Sequence, residues 1–105
     1  MRVAKQNPLD PLFVIFEQHL YNFHDAETDR QTFVMEVVQD YLFYLRKKNI
    51  AVPRSLEPQI VEELAHQIET MLVKKIYGCL TIQEFQQKLT PSVKKKARAK
   101  YSKLK

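Results

Sequence analysis

Phe33, Val34, Val37, Val38, Tyr41, Leu42 and Leu45 recur three and four residues apart, a spacing that only an α-helix turns into a single apolar face. Nothing in the chain alternates with period two for long enough to make a strand. Glycine usage points the same way. Gly78 is the only glycine in 105 residues, so the positive-φ positions that hairpins and sandwich turns demand are almost lacking. The expected fold class is therefore all-α.

The remaining helices follow from caps and stripes. Asp10 as N-cap with Pro11 at the first helical position opens a helix whose Leu12, Phe16, Leu20 and Phe23 share a face, with Phe13 and Ile15 at its margins. The helix carrying the Phe33–Leu45 stripe should begin near Thr28 or Asp29 and run to Lys48. Its acids lie at the start (Asp25, Glu27, Asp29) and its bases at the end (Arg46, Lys47, Lys48), as the helix dipole favours. Asn49 suits a left-handed cap, and Ser55 suits the N-cap of a third helix with Pro58 in its first turn. Ile60, Val61, Leu64, Ala65, Ile68, Met71, Leu72 and Ile76 stripe that helix, and Gly78 ends it. Thr81 and Glu84 have capping-box spacing for a short fourth helix bearing Ile82, Phe85 and Leu89, which Thr90-Pro91 breaks.

Three long amphipathic helices with short connections predict an antiparallel three-helix bundle, a short fourth helix across it, and a basic C-terminal helix or tail. Residues 1–89 are expected to form the bundle domain. Their stripes are complete without residues 90–105, so a chain ending at Leu89 should fold. Residues 90–105 stand apart by charge. The net charge of +5 conceals ten basic and twelve acidic side chains before residue 90, against seven basic and no acidic ones after it.

Several function classes are disfavoured. A single cysteine, Cys79, makes neither an internal disulfide nor a cysteine-based zinc cluster, and fits a reducing compartment. The longest apolar run, Leu12 to Phe16, is five residues, too short for a secretory signal or a membrane span, so a soluble, cytoplasmic protein is expected. His19, between Phe16 and Phe23, reads as a neutral, hydrogen-bonded boundary histidine rather than a ligand. Glu63 and His66 show the spacing of one half of a di-iron carboxylate motif, but there is no second copy, and His66 falls off the apolar stripe. No metal site is expected. Cys79 follows a helix C-terminus, where the dipole raises a thiol pKa, although Lys74 and Lys75 oppose that. No phosphate cradle, nucleophile elbow or zincin motif occurs. A non-enzymatic chain without a cofactor is the expectation.

Two surfaces carry the functional expectations. Phe43 points away from the stripe of its helix and Met35 lies off its edge. Either this helix is central, covered on both sides by the first and fourth helices, or Met35 and Phe43 belong to an interface with a protein partner or a second copy of the chain. In the C-terminal segment, Val93, Ala97, Tyr101 and Leu104 form one thin apolar stripe on a cationic helix. Lys94, Lys95 and Lys96 crowd its positive end, and Lys94/Arg98 and Lys96/Lys100 are repulsive i, i+4 pairs, so an isolated helix is poorly supported. A polyanion would relieve that repulsion and gain from counterion release. The leading expectation is a small regulator or binding module that contacts nucleic acid, without sequence specificity, through Lys94, Lys95, Lys96, Arg98, Lys100 and Lys103, with Tyr101 stacking on an exposed base. The bland reading of the same stripe is a final helix packed on the bundle with solvated lysines. A helix-turn-helix over residues 81–104 is disfavoured, because the turn lacks glycine and the second helix lacks Asn or Gln to read bases.

Overall fold

The computed structural model describes residues 10–22 and 29–104. Five α-helices are present among these residues: α1 Pro11–Asn22, α2 Arg30–Lys47, α3 Glu57–Lys75, α4 Ile82–Gln87 and α5 Pro91–Leu104, with a 3₁₀ turn at Arg54–Leu56. There is no strand among the described residues. Phe23, the acids Asp25 and Glu27, the alternative start at Thr28, and Lys105 lie outside them.

The helix ends follow local chemistry. The Asp10 carboxylate accepts from the Leu12 N–H at 3.0 Å, and Asp29 caps α2 by accepting from Thr32 at 2.7 Å. At the far end of α2, Asn49 adopts φ 63°, and the Asn49 and Ile50 N–H groups return to the Arg46 and Leu45 carbonyls, a Schellman closure. Gly78, at φ 88°, follows α3 in the same left-handed region. Thr81 accepts the Glu84 N–H at 3.0 Å, while the Glu84 carboxylate takes the Leu80 N–H rather than that of Thr81. Ser55 does not cap α3. It lies inside the 3₁₀ turn, which is closed by Leu56 N–H to the Pro53 carbonyl, and that turn rather than a side chain leads into the helix.

The packing corrects the expected arrangement in one respect. α1, not α2, is the central helix. Eight of its twelve residues are buried, including Val14 and Ile15, which the expected single face left out or placed at the margin. α5, α2 and α4 all pack on it, whereas α3 packs chiefly on α2. A short apolar helix surrounded by neighbours buries its whole circumference, and periodicity then ceases to mark one face. α2 accordingly keeps an open outer side, and Phe43 is 59% exposed rather than covered.

Two antiparallel pairs result. α2 and α3 run antiparallel, with Arg46 on Glu57 at 2.6 Å near their junction and Arg30 beside Glu69 and Val73 at the other end. α5 runs antiparallel to α1, since Asn22 meets Lys94 and Arg98 while His19 meets Tyr101. The core joins Phe16, Leu20, Phe33, Val37, Val38, Leu42, Ile68 and Leu72 with Ala97 of α5. Within the α3 stripe only Ile68, Leu72 and Ile76 are buried, and Ile60, Val61, Leu64, Ala65 and Met71 are partly covered. No helix is long and apolar enough to cross a membrane, among the described residues.

Candidate nucleic-acid interface

α5 is positioned from its first residue. Thr90 accepts the Val93 N–H at 3.3 Å and the backbone enters the helix through Pro91, the residue best suited to a first helical position. The thin stripe then meets α1. Ala97 is 3% exposed, and Tyr101 and Leu104 are half-buried beside it. A small residue at the centre of the contact lets two helix backbones approach closely, which suits a stripe with so little apolar bulk.

Polar contacts fix the register of that contact. The Arg98 guanidinium donates to the Asn22 side-chain oxygen at 2.9 Å, and the Asn22 amide donates to the Lys94 carbonyl at 3.4 Å. One turn further along, the Tyr101 hydroxyl donates to the Asp40 carboxylate at 2.6 Å, and His19 Nε2 lies 2.9 Å from the same oxygen. The His19 and Tyr101 rings meet edge-on, 6.5 Å apart at 87°. Asp40 of α2 thus ties α1 and α5 together. His19 is a hydrogen-bonded boundary histidine, as its place in the sequence suggested.

A second polar junction holds α3. The Tyr21 hydroxyl donates to Glu17 at 3.1 Å, and Lys75 donates to Tyr21 at 3.2 Å with its ammonium 3.6 Å from Glu17. Burial raises the Tyr21 pKa, opposed by the Lys75 hydrogen bond and assisted by the Glu17 charge. Burial alone would lower the Lys75 pKa, but its hydrogen bond to Tyr21 and the charges of Tyr21 and Glu17 outweigh it, and the net shift is upward. The Lys75 ammonium also lies 5.4 Å from the centre of the Phe13 ring. These groups satisfy one another, which is what a structural junction requires.

The cations of α5 divide by position. Lys95, Lys96 and Lys103 are exposed, and Lys94 and Lys100 are half-buried. Arg98 is exposed, and its guanidinium is bound to Asn22. No α5 lysine forms an ion pair with a carboxylate among the described residues. Tyr101, expected to offer its face to a base, is turned toward α1 with its hydroxyl on Asp40. The structure does not bring Met35 and Phe43 into this region. Met35 is half-buried in the groove between α2 and α3, beside Val34, Ala65 and His66, and Phe43 lies on the outer side of α2.

The positioning residues Asn22, Asp40 and Gln86 carry no signal in the sequence. Gln86 donates to the Leu20 carbonyl at 2.7 Å and seats α4 on the end of α1. Leu80, equally without a signal in the sequence, is 91% exposed and Tyr77 89% exposed, both on the turn between α3 and α4. Cys79 in that turn is half-buried and free, and among the described residues no three His, Cys, Asp or Glu side chains are grouped to hold a metal. No protein-family model, curated protein or solved structure matches this chain.

Proposed function

We propose that this protein is a non-enzymatic binding module that holds nucleic acid on the solvent face of α5 without reading its sequence. One observation carries the reading: α5 is anchored by Ala97, Tyr101 and Leu104 while Lys95, Lys96 and Lys103 face outward, and no α5 lysine has a carboxylate partner among the described residues. Packing on α1 supplies the order that the isolated cationic helix lacks, so the repulsion among Lys94, Lys95 and Lys96 is held in place rather than relaxed by unfolding. Lys96, Lys100 and Lys103 follow one another at i, i+4 and i+7, and form a row along one flank. The acids Glu62, Glu63 and Glu69 lie on α3, which packs on α2 rather than on α5, and that asymmetry orients an approaching polyanion.

The test compares wild type with a Lys96→Gln/Lys100→Gln/Lys103→Gln variant in salt titrations on labelled single strands and duplexes. Loss of three phosphate contacts should flatten the log–log salt slope on single strands by about 2, at roughly 0.7 per contact. Affinity should vary little with base sequence. An unchanged slope, or wild-type binding that ignores salt, would refute the assignment.

Exposed Phe43 supports a second reading, a protein–protein adaptor or homodimer through the outer side of α2 with α5 purely structural. In that case Phe43→Glu abolishes self-association or partner capture in sedimentation while the variant melts like wild type. If the wild-type chain sediments as a monomer at every concentration and captures no partner, this reading fails.

A further inference from the structure

Seen down its axis, α5 has an outward ridge on the side opposite its apolar stripe. Each residue turns the helix by about 100°, so with Ala97 facing α1 the ridge opposite consists of Ser92, Lys95, Ala99 and Ser102. All four are exposed. Three of them are small. Apart from Lys95, the cations stand to either side of this ridge, Lys94 and Arg98 on one flank and Lys96, Lys100 and Lys103 on the other.

A low ridge between two cationic flanks is complementary to a trough between two rows of phosphates. The major groove of B-form DNA is about 12 Å wide, and a helix with its side chains is about 10–12 Å across. Small side chains at the ridge let the helix backbone sink toward the groove floor, and the flanking lysines then reach the phosphates on either rim. A-form RNA has a deep, narrow major groove that excludes a helix. A single strand is held largely by stacking on exposed aromatic rings. The only ring on α5, that of Tyr101, is committed to Asp40 and His19 on the opposite side. An anionic membrane would require large apolar residues on the outward ridge, and none there is larger than Ala99.

From this layout we infer that α5 seats in the major groove of B-form duplex DNA, contacting the phosphates of both strands and no particular base. The inference rests on the polyanion reading above and narrows it to one form of nucleic acid. It also reverses the role that the sequence suggested for Tyr101, which here positions the helix instead of stacking on a base. The four flanking lysines together with Lys95 on the ridge, at about 0.9 each, limit the duplex salt slope to no steeper than about −4.5.

The experiment uses the full chain and fluorescence anisotropy at one fixed salt concentration. The probes are a DNA duplex, an RNA duplex of matching sequence, the DNA single strand, and a DNA duplex whose pyrimidines carry bulky C5 groups that fill the major groove. The plain DNA duplex should bind tightest, and filling its groove should remove that preference. Ala99→Phe and, separately, Ser102→Phe keep the charge but raise the ridge. Each should weaken duplex DNA binding by about tenfold, equivalent to about 1.4 kcal/mol, while leaving the melting temperature and the RNA affinity unchanged. Equal affinity for every probe, or indifference to both ridge substitutions, overturns groove seating. The polyanion reading survives that result if the triple lysine variant still flattens the salt slope. Absence of salt-sensitive binding to any probe overturns both.

Discussion

Replacing Asp40 with alanine removes one carboxylate and strands two donors. Its Oδ2 accepts the Tyr101 hydroxyl at 2.6 Å and lies 2.9 Å from His19 Nε2, with the Asp40 and His19 side chains only 14% and 22% exposed. A hydrogen bond to a charged group is worth about 1.5–3 kcal/mol, and water reaching the rim of this site lowers the sum, so a loss of about 2 kcal/mol is expected. In a chain of 105 residues that corresponds to a fall in Tm of roughly 8–16 °C. Tyr101→Phe alone removes one donor and leaves the Asp40–His19 contact, so it should cost about half as much. In the Asp40→Ala background the same change should be nearly neutral, because the hydroxyl has already lost its acceptor. The difference, about 1 kcal/mol of coupling, is read from a double-mutant cycle by thermal or urea unfolding. Amide exchange should show α5 losing protection before α2 or α3. If Asp40→Ala melts within about 2 °C of wild type, or Tyr101→Phe costs the same in both backgrounds, Asp40 does not bind α5 to the bundle.

Three further outcomes are expected. A chain ending at Leu89 should melt at a lower temperature than the full chain and bind more of a hydrophobic dye, since it uncovers the α1 surface beneath Ala97 and Tyr101; an unchanged melt would show that α5 is no part of the cooperative unit. The Tyr21–Lys75 junction should fail in alkali: both pKa values are raised on folding, so its stabilisation is complete below their ordinary values of 10.0 and 10.5 and is lost as pH rises through the higher folded values. A pH series of melts should show that decline, and Glu17→Gln should make it shallower. Asp29, whose pKa is lowered by its hydrogen bond to Thr32, acts in the opposite direction: its cap is intact above the ordinary value of 3.8 and is lost as pH falls through the lower folded value. The gap in Tm between wild type and Asp29→Ala should therefore close in acid, and a gap that persists there would refute the cap.

Local chemistry written along the chain determined the helices themselves. Asp10, Asp29 and Thr81 are caps because a short side-chain oxygen reaches the helix N–H two or three residues on, whereas Ser55, drawn into the 3₁₀ turn, does not. Asn49 and Gly78 end helices because few other residues tolerate positive φ. The Phe33–Leu45 stripe and the gathering of charge after residue 89 are likewise properties of order along the chain, and they were legible without a structure. What lies between helices was not. That α1 rather than α2 is central depends on which neighbours cover Val14 and Ile15, and a spacing of three and four residues records one face, never how many partners a helix has. The ties from Asn22 and Asp40 to α5, and from Gln86 of α4 to Leu20 of α1, span 61 to 76 residues. A lone polar residue has no period by which to announce a partner so distant. Tyr101 shows the consequence: its sequence neighbours are lysines and suggest a ring facing a polyanion, but packing places it against Asp40 and His19, because the thin stripe must be buried before the lysines can be exposed.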